Sequence, residues 1–572
     1  MVASGKCHGR SGVWSKTSKK VPQTPQSAST TASAKASMQR SHTRSVTPLP
    51  RHGHSKSHIF VNTSTSDMQF LSRLQDGCAK RYRSLAGIAI TAALEPSDTC
   101  LLSPTHAFET LSPQSLPSSF PWKRAVPDYD PFLLSYFETV ICATSTLVDD
   151  IHCNPLRSLI LPTAAVSKLA YYGLLMLAAH YLQLVDPRYY QAEMELRQKT
   201  LTKVRRAMTG SRWCDDDVFV TVMILCSHDI SLHCDSTWLV HLKYYREYLV
   251  WRIRHPGLAS ARSPLAHYAA SYFAAHTVLA KSLFSIADSA SPAAVSSINI
   301  FPRVSLTDGQ LALLDRTFDS CNTWTSTEFI SSFMSTESLN EIDPWNGYSN
   351  SLLLLINEIA CLREDAVAMH HHRLSQARIE AKIRLLETSL SRLSQSSPAS
   401  LRNTDQQTLS HQRRLLEGNA EAYRLAAILF LNESSSPRFL GLATTNDAGP
   451  AIPLLDATKQ QQYVSGVLER VRDIVMHTDL PVSWPLWPLF IAGCRTDAEE
   501  DRMTVLSLLQ CAQRKKQYEN IPRAQKVIEL VWQHQDTQLD NDFGKKYQRP
   551  GTVGRYEWEV IMDLKGWRPS LA

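Results

Sequence analysis

From residue 130 onward, apolar positions recur at i, i+3, i+4 and i+7 between short polar or proline-bearing breaks, the period of amphipathic helices. The stretch 131–146, "PFLLSYFETVICATST", places Leu133, Leu134, Phe137, Val140 and Ile141 on one face. Pro155 and Pro162 punctuate "NPLRSLILP". The segment 164–182, "AAVSKLAYYGLLMLAAHYL", is apolar nearly all round, which predicts a helix buried on every side. Its Gly173 lets a neighbour approach closely and marks the centre of the domain. Residues 191–208 are amphipathic, with Leu196, Val204 and Met208 inward. A helix over 215–231 opens on Asp residues, and helices over 236–252 and 263–284 each follow a cap-like Ser. A Gly/Asn turn starts 343–365, and a long charged helix over about 363–395 continues from it to a Ser/Pro break at 396–400. Further helices are predicted at 410–432, 457–476, 497–513 and 519–535, then a polar loop at 536–554 and a last piece at 556–567.

No run alternates at the two-residue period of strands. The expected fold is therefore all-α, a large irregular array of ten or more antiparallel helices packed as pairs. No fixed repeat of 34–45 residues appears, which argues against a regular solenoid.

Charge divides the chain. Residues 1–66 hold ten Lys/Arg and no acid, whereas the remainder holds 50 basic against 53 acidic residues. A polar, basic, aromatic-poor segment cannot bury enough surface to offset chain entropy, so 1–66 read as a disordered Ser/Thr-rich tail. Residues 67–129 read mostly as linker and 130–570 as the helical domain. Arg10, Lys16, Lys19 and Lys20 are the densest basic group. They suit non-specific phosphate contact or a nuclear import signal, or else a solvated tail. The twelve cysteines are scattered with no C-x-x-C, and no uncharged apolar run of about 18 residues occurs, so reduced thiols and no membrane partner are expected.

Several patterns raise questions of chemistry. "CSHDISLHC" (226–234) offers Cys226, His228, His233 and Cys234, but on a helix His228 points away from the face shared by Cys226 and His233. A helix with a cap is expected there rather than a zinc site. "HHH" (370–372) cannot converge on one ion from a helix and reads as a solvated face. The acids of "LVDDIHC" (Asp149, Asp150) and "CDDDVF" (Asp215–Asp217) bring to mind magnesium-diphosphate sites of all-α isoprenoid and terpene synthases. Their fifth positions are Cys153 and Phe219, and helix caps are the better reading. Cys494, in "PLWPLFIAGCRTDAEEDR" (485–502), lacks a paired His and reads as a small thiol at a helix junction. In that stretch Gly493 permits close approach, Thr496 is the expected N-cap with Glu499 completing a capping box, and Arg502 is expected to pair with acids one turn back. No phosphate-binding loop, nucleophile elbow or H-E-x-x-H is present, and no enzyme activity is expected.

Five pieces, in this order, resemble the second class of fungal-specific transcription factor domains, the regulatory part of fungal zinc-cluster regulators. They are "LLSYFETVICATSTLVDDIHCNPLRSLILPTA", "LLMLAAHYL", "DDVFVTVMILCSHDIS" with "WLVHLKYYREYL", "WNGYSNSLLLLINEIACL", and "LWPLFIAGCRTDAEEDR" with "RAQKVIELVW" and "WEVIMDLKGW". The positions that carry the likeness are Tyr136, Phe137, Pro155, Arg157, Pro162, Gly347, Trp487, Pro488, Gly493, Arg502, Trp532 and Trp558. The resemblance implies a nuclear regulator of transcription that contacts coregulators or the transcription machinery, with a homodimer among the expected assemblies. It also implies DNA binding through six cysteines holding two zinc ions, which needs C-x2-C-x6-C halves within about thirty residues. Only Cys7 precedes Cys78. The cofactor expectation for this chain is therefore none, and DNA contact is expected only non-specifically or through a lost, truncated or unannotated module. An isoprenoid-synthase-like enzyme and a helical scaffold without DNA binding are the alternatives.

Overall fold

The computed structural model describes residues 130–210, 212–232, 234–255, 263–286, 338–399, 401, 405–442, 455–476, 485–516, 518–539 and 553–572. The basic tail, the linker and the four basic residues singled out in the tail lie outside them. Among the described residues the fold is all-α, as the periodicity predicts, with only two isolated β-bridges.

Helix α1 begins at Asp130–Tyr136, widens into a π turn at Phe137–Ile141 and closes at Cys142–Thr144. The widening lets Leu133, Leu134, Phe137, Ile141 and Cys142 all reach the core. Helix α2 pairs a second π turn, Leu156–Ile160, with Leu161–Val166. Pro162 has no N–H to offer the preceding turn and its ring crowds it, which favours the wider turn ahead of it. Then come α3 (Lys168–Val185), α4 (Tyr190–Met208), α5 (Asp216–Leu232), α6 (Thr237–Arg254) and α7 (Pro264–Leu283).

Helix α3 packs against α1, α2, α4 and α5, which accounts for its all-round apolar character. A Cβ on Gly173 would sit 3.3 Å from Thr221 Cγ2 and 3.6 Å from Ile224 Cδ1 of α5, so this glycine sets how closely α3 and α5 approach.

The second half comprises α8 (Asn350–Ala360), α9 (Leu362–His370), α10 (Gln376–Arg392), α11 (Gln406–Ser434), the short α12 (Pro437–Leu440), α13 (Ala457–Met476), α14 (Leu486–Gly493), α15 (Glu499–Lys516), α16 (Asn520–Leu539) and α17 (Glu557–Lys565). Helix α8 joins the halves by packing on both α7 and α11, and α11 in turn carries α13 and α14. One contiguous hydrophobic cluster runs through both halves.

Three local expectations are corrected. The single helix over 363–395 is two, α9 and α10, because His372 turns left-handed (φ 55) and ends α9 at the histidine triplet. Ser236 makes no side-chain cap at α6; Asp235 does so, accepting from Thr237 N at 2.8 Å. Thr496 does not cap α15, which starts at Glu499; its hydroxyl donates back to Gly493 O at 2.7 Å and closes α14.

Candidate functional site

The positions carrying the sequence resemblance fall into two structural groups. The first is a tryptophan junction in the second half. Trp487, Trp532 and Trp558 are buried, and each indole N–H has a fixed acceptor. Trp487 donates to Ser282 Oγ (2.8 Å), Trp558 to Ser282 O (3.4 Å) and Trp532 to Gly493 O (2.7 Å). A Cβ on Gly493 would meet Ile528 Cδ1 at 3.0 Å and Val505 Cγ1 at 3.1 Å, so the close approach expected there is real. Pro488 lies buried in the same helix. Arg502 stacks over Trp532 with its carbon 5.3 Å from the ring and forks onto Asp536 at 2.8 and 2.9 Å. Its partner is therefore on α16, not one turn back on α15. Cys494 is fully enclosed here, and burial pushes its thiol well above the ordinary value, so it stays protonated.

The second group lies in α1, at α2 and in the turn at Gly347; Phe137 of that group lines a cavity of about 170 Å³ between the halves. Phe137 and Ile141 of α1, Tyr181 of α3, Ser227 and Ser231 of α5, and Tyr268, Tyr272 and His276 of α7 line one side. The turn Trp345–Tyr348, Asn419 and Tyr423 of α11, Tyr518 and Asn520 line the other. Asp343 builds that turn: its Oδ1 accepts from Trp345 N (2.8 Å) and Asn346 N (3.1 Å), and its Oδ2 accepts from Ser271 Oγ (2.7 Å) on α7. Gly347 adopts φ +74, and a Cβ there would run into Asn419 and Leu147. Tyr136 sits half-buried beside this wall, where burial and Tyr181 raise its phenol above the ordinary range.

The lining is mixed: aliphatic and aromatic side chains stand beside serine, asparagine, histidine and tyrosine groups. Tyr268 and Tyr348 are buried, and their hydroxyls have no hydrogen-bond partner among the described residues. Burial raises both phenols well above their usual value, so both remain neutral donors. His276 is driven down to about 3 by burial and is neutral, its Nδ1 3.0 Å from Ser570 Oγ. A cavity of this kind suits a compact molecule that combines apolar surface with groups able to accept hydrogen bonds.

The acid pairs are committed elsewhere. Asp149 binds Arg157 twice (2.7 and 2.6 Å), which gives Arg157 its role in holding α2 to the preceding loop. Asp216 pairs with Arg252, and Asp217 accepts from Ser167 Oγ (2.6 Å) and Arg212 (3.0 Å). These acids tie helices together as well as sitting at a helix start, more than caps alone would do. The exposed histidines 370–372 are solvated, as expected.

The cysteine–histidine stretch of α5 separates its candidates. Cys226 Sγ donates to Trp238 O (3.8 Å) and Cys234 Sγ to Ile230 O (3.9 Å), while His233 lies outside the described residues. His228 turns the other way, into the core. Its Nε2 is 2.9 Å from Glu193 Oε1 of α4 and its Nδ1 3.3 Å from Asp229 Oδ1. His180 of α3 lies against it, with ring centroids 4.5 Å apart. Burial alone would lower His228, but its hydrogen bonds to the Asp229 and Glu193 carboxylates, with their charge, more than offset it, so its value is raised. The sequence singled out His228 but read it as part of a capped helix, and it gave no sign of His180 and Glu193, which stand 48 and 35 positions away with no local pattern linking them.

The family model described as fungal specific transcription factor domain matches residues 132–572. No curated protein matches, and no solved structure matches.

Proposed function

Since the chain belongs to the fungal-specific transcription factor domain family, we propose that it is a nuclear regulator of RNA polymerase II transcription whose helical domain answers to a small molecule held in the central cavity. The single observation that supports the effector reading is the cavity itself. It lies where both halves meet, and it presents buried tyrosine hydroxyls that a ligand would satisfy. A ligand touching α1, α3, α5 and α7 on one side and α11 and α16 on the other binds one arrangement of the halves better than another, which is the requirement for a switch. Coregulators, the transcription machinery and a second copy of the chain are the proposed partners. Specific DNA contact would need a zinc-cluster module with six cysteines, for which residues 1–66 supply only Cys7. The basic residues Arg10, Lys16, Lys19 and Lys20 suit non-specific contact or nuclear import.

The synthase reading is weaker. Asp149 and Asp216 face arginines rather than a shared space for magnesium.

Chromatin occupancy profiling of a tagged chain, with transcript profiling after deletion, tests the proposal. Enrichment at promoters whose transcripts change on deletion is expected. A protein excluded from the nucleus, with no promoter enrichment and an unaltered transcriptome, would sink it.

A further inference from the structure

We infer that His180, Glu193 and His228 form a binding site for a divalent metal ion of the zinc class, set behind Ser231 of the central cavity's lining. Three neighbouring helices, α3, α4 and α5, supply one residue each, and all three residues are buried. One ligand atom from each lies within 4.8 Å of the other two. A tetrahedral ion with metal–ligand bonds of about 2.0–2.1 Å needs its ligands about 3.3–3.4 Å apart. His228 Nε2 and Glu193 Oε1 already stand at 2.9 Å. Small side-chain rotations therefore close the site without moving a helix.

The donor set, two imidazoles and one carboxylate, is the kind that zinc takes when it keeps a fourth position for another ligand. The outer atoms are in order as well. Histidines that hold a metal give their far nitrogen to a carboxylate or carbonyl. His228 Nδ1 faces Asp229 Oδ1 at 3.3 Å, and Asp229 Oδ2 is steadied by His241 Nε2 at 2.9 Å. His180 Nδ1 faces the Gln183 side-chain amide at 3.1 Å, and an amide can present either its oxygen or its nitrogen. This leaves the nitrogen of each histidine that looks away from those partners. In His228 it meets Glu193. In His180 it meets Ser231 Oγ at 2.9 Å.

Ser231 also lines the cavity. The fourth position beside it would thus open toward the space where an effector is proposed, so water or an effector oxygen or nitrogen can complete the shell. The ion would take the place of the proton now shared between His228 and Glu193. The metal site stands on these residues alone and survives if the regulatory reading fails.

The test uses the full chain, zinc and cobalt(II). After chelator treatment and re-addition of zinc, about one tightly held equivalent per chain is expected by elemental analysis. Cobalt(II) is expected to give the intense visible absorption of a tetrahedral site without the near-ultraviolet band of thiolate ligation, which separates this site from the cysteines. His180→Gln and His228→Asn should each abolish that spectrum, whereas Cys226→Ser should keep it. Retention of the spectrum in the two histidine variants, or a thiolate band that disappears in Cys226→Ser, overturns the assignment. Because those variants remove buried groups and can unfold, the wild-type Tm serves as a second reading. Zinc in large excess over its Kd should raise it by about 3 °C and chelation should reverse the rise. No shift overturns the site.

Discussion

At the scale of single residues, glycines and buried ion pairs decide most. Gly347 holds a left-handed turn against Asn419, whose amide donates to Gly347 O at 2.8 Å, in the wall of the cavity. Gly347→Ala adds left-handed strain and a collision with the Asn419 amide and the Leu147 side chain. It should cost about 2 kcal/mol or more, read as a lowered midpoint in urea unfolding. An unchanged midpoint would mean that the turn relaxes freely and does not brace the cavity. Buried charge is handled as tightly: Lys382 lies between Glu358 (3.1 Å) and Asp365 (2.9 Å), all three enclosed. Burial pulls the Lys382 amine down, but the two carboxylates outweigh it and hold it above its usual value. Residues whose role depends on the backbone were legible in the sequence: Gly173 and Gly493 were expected as sites of close approach, and both are. Residues whose role depends on a distant partner were not. Arg502 has acids one turn back, yet it reaches Asp536, 34 positions away, because stacking on Trp532 aims it there. His180, Glu193 and His228 meet only after three helices have packed.

At the scale of elements, periodicity located most helices because most bury one stripe against a neighbour, and the stripe is written in the sequence. Helix α13 matches its predicted span of 457–476. The ends failed where local chemistry admitted two answers. Thr496 precedes a Glu at the capping-box spacing, but its hydroxyl closes the helix behind it. The histidine triplet reads as helix interior, because His is a tolerable helix former, yet it ends α9. There His372 N donates to Met369 O (2.9 Å) and Arg373 N to Ala368 O (2.8 Å), the paired bonds of a left-handed helix stop. Glycine is the usual residue at such a stop. His372→Gly should therefore stabilise the domain by roughly 0.5–1 kcal/mol, while the β-branched His372→Val should destabilise it. Thermal unfolding of the two variants side by side decides this, and equal Tm values would contradict the left-handed stop between α9 and α10.

At the scale of the whole molecule, the two halves are closed by the segment that follows α17. Arg568 N donates to Cys234 O (2.7 Å), and the Trp238 indole donates to Arg568 O (2.7 Å), which fixes the segment to the α5–α6 corner. Ser570 then meets His276 of α7 through its hydroxyl (3.0 Å), and its carbonyl accepts from Asn520 of α16 (2.8 Å). Ala572 reaches the cavity wall. None of this was readable beforehand, because "GWRPSLA" has no periodicity and its bonds reach from 50 to more than 300 positions away. The latch touches first-half and second-half helices at once and borders the cavity, so its contribution belongs to coupling more than to local stability. Removing residues 567–572 should leave the helical content by circular dichroism nearly intact. It should lower Tm and split the single unfolding transition into two, as α5–α7 lose part of their tie to α16. It should also abolish any thermal shift produced by a cavity ligand that stabilises the full chain. A truncated chain that still unfolds in one transition at the original temperature would show that the remaining ties, α8 on α7 and the Trp487 and Trp558 bonds to Ser282, carry the coupling between the halves.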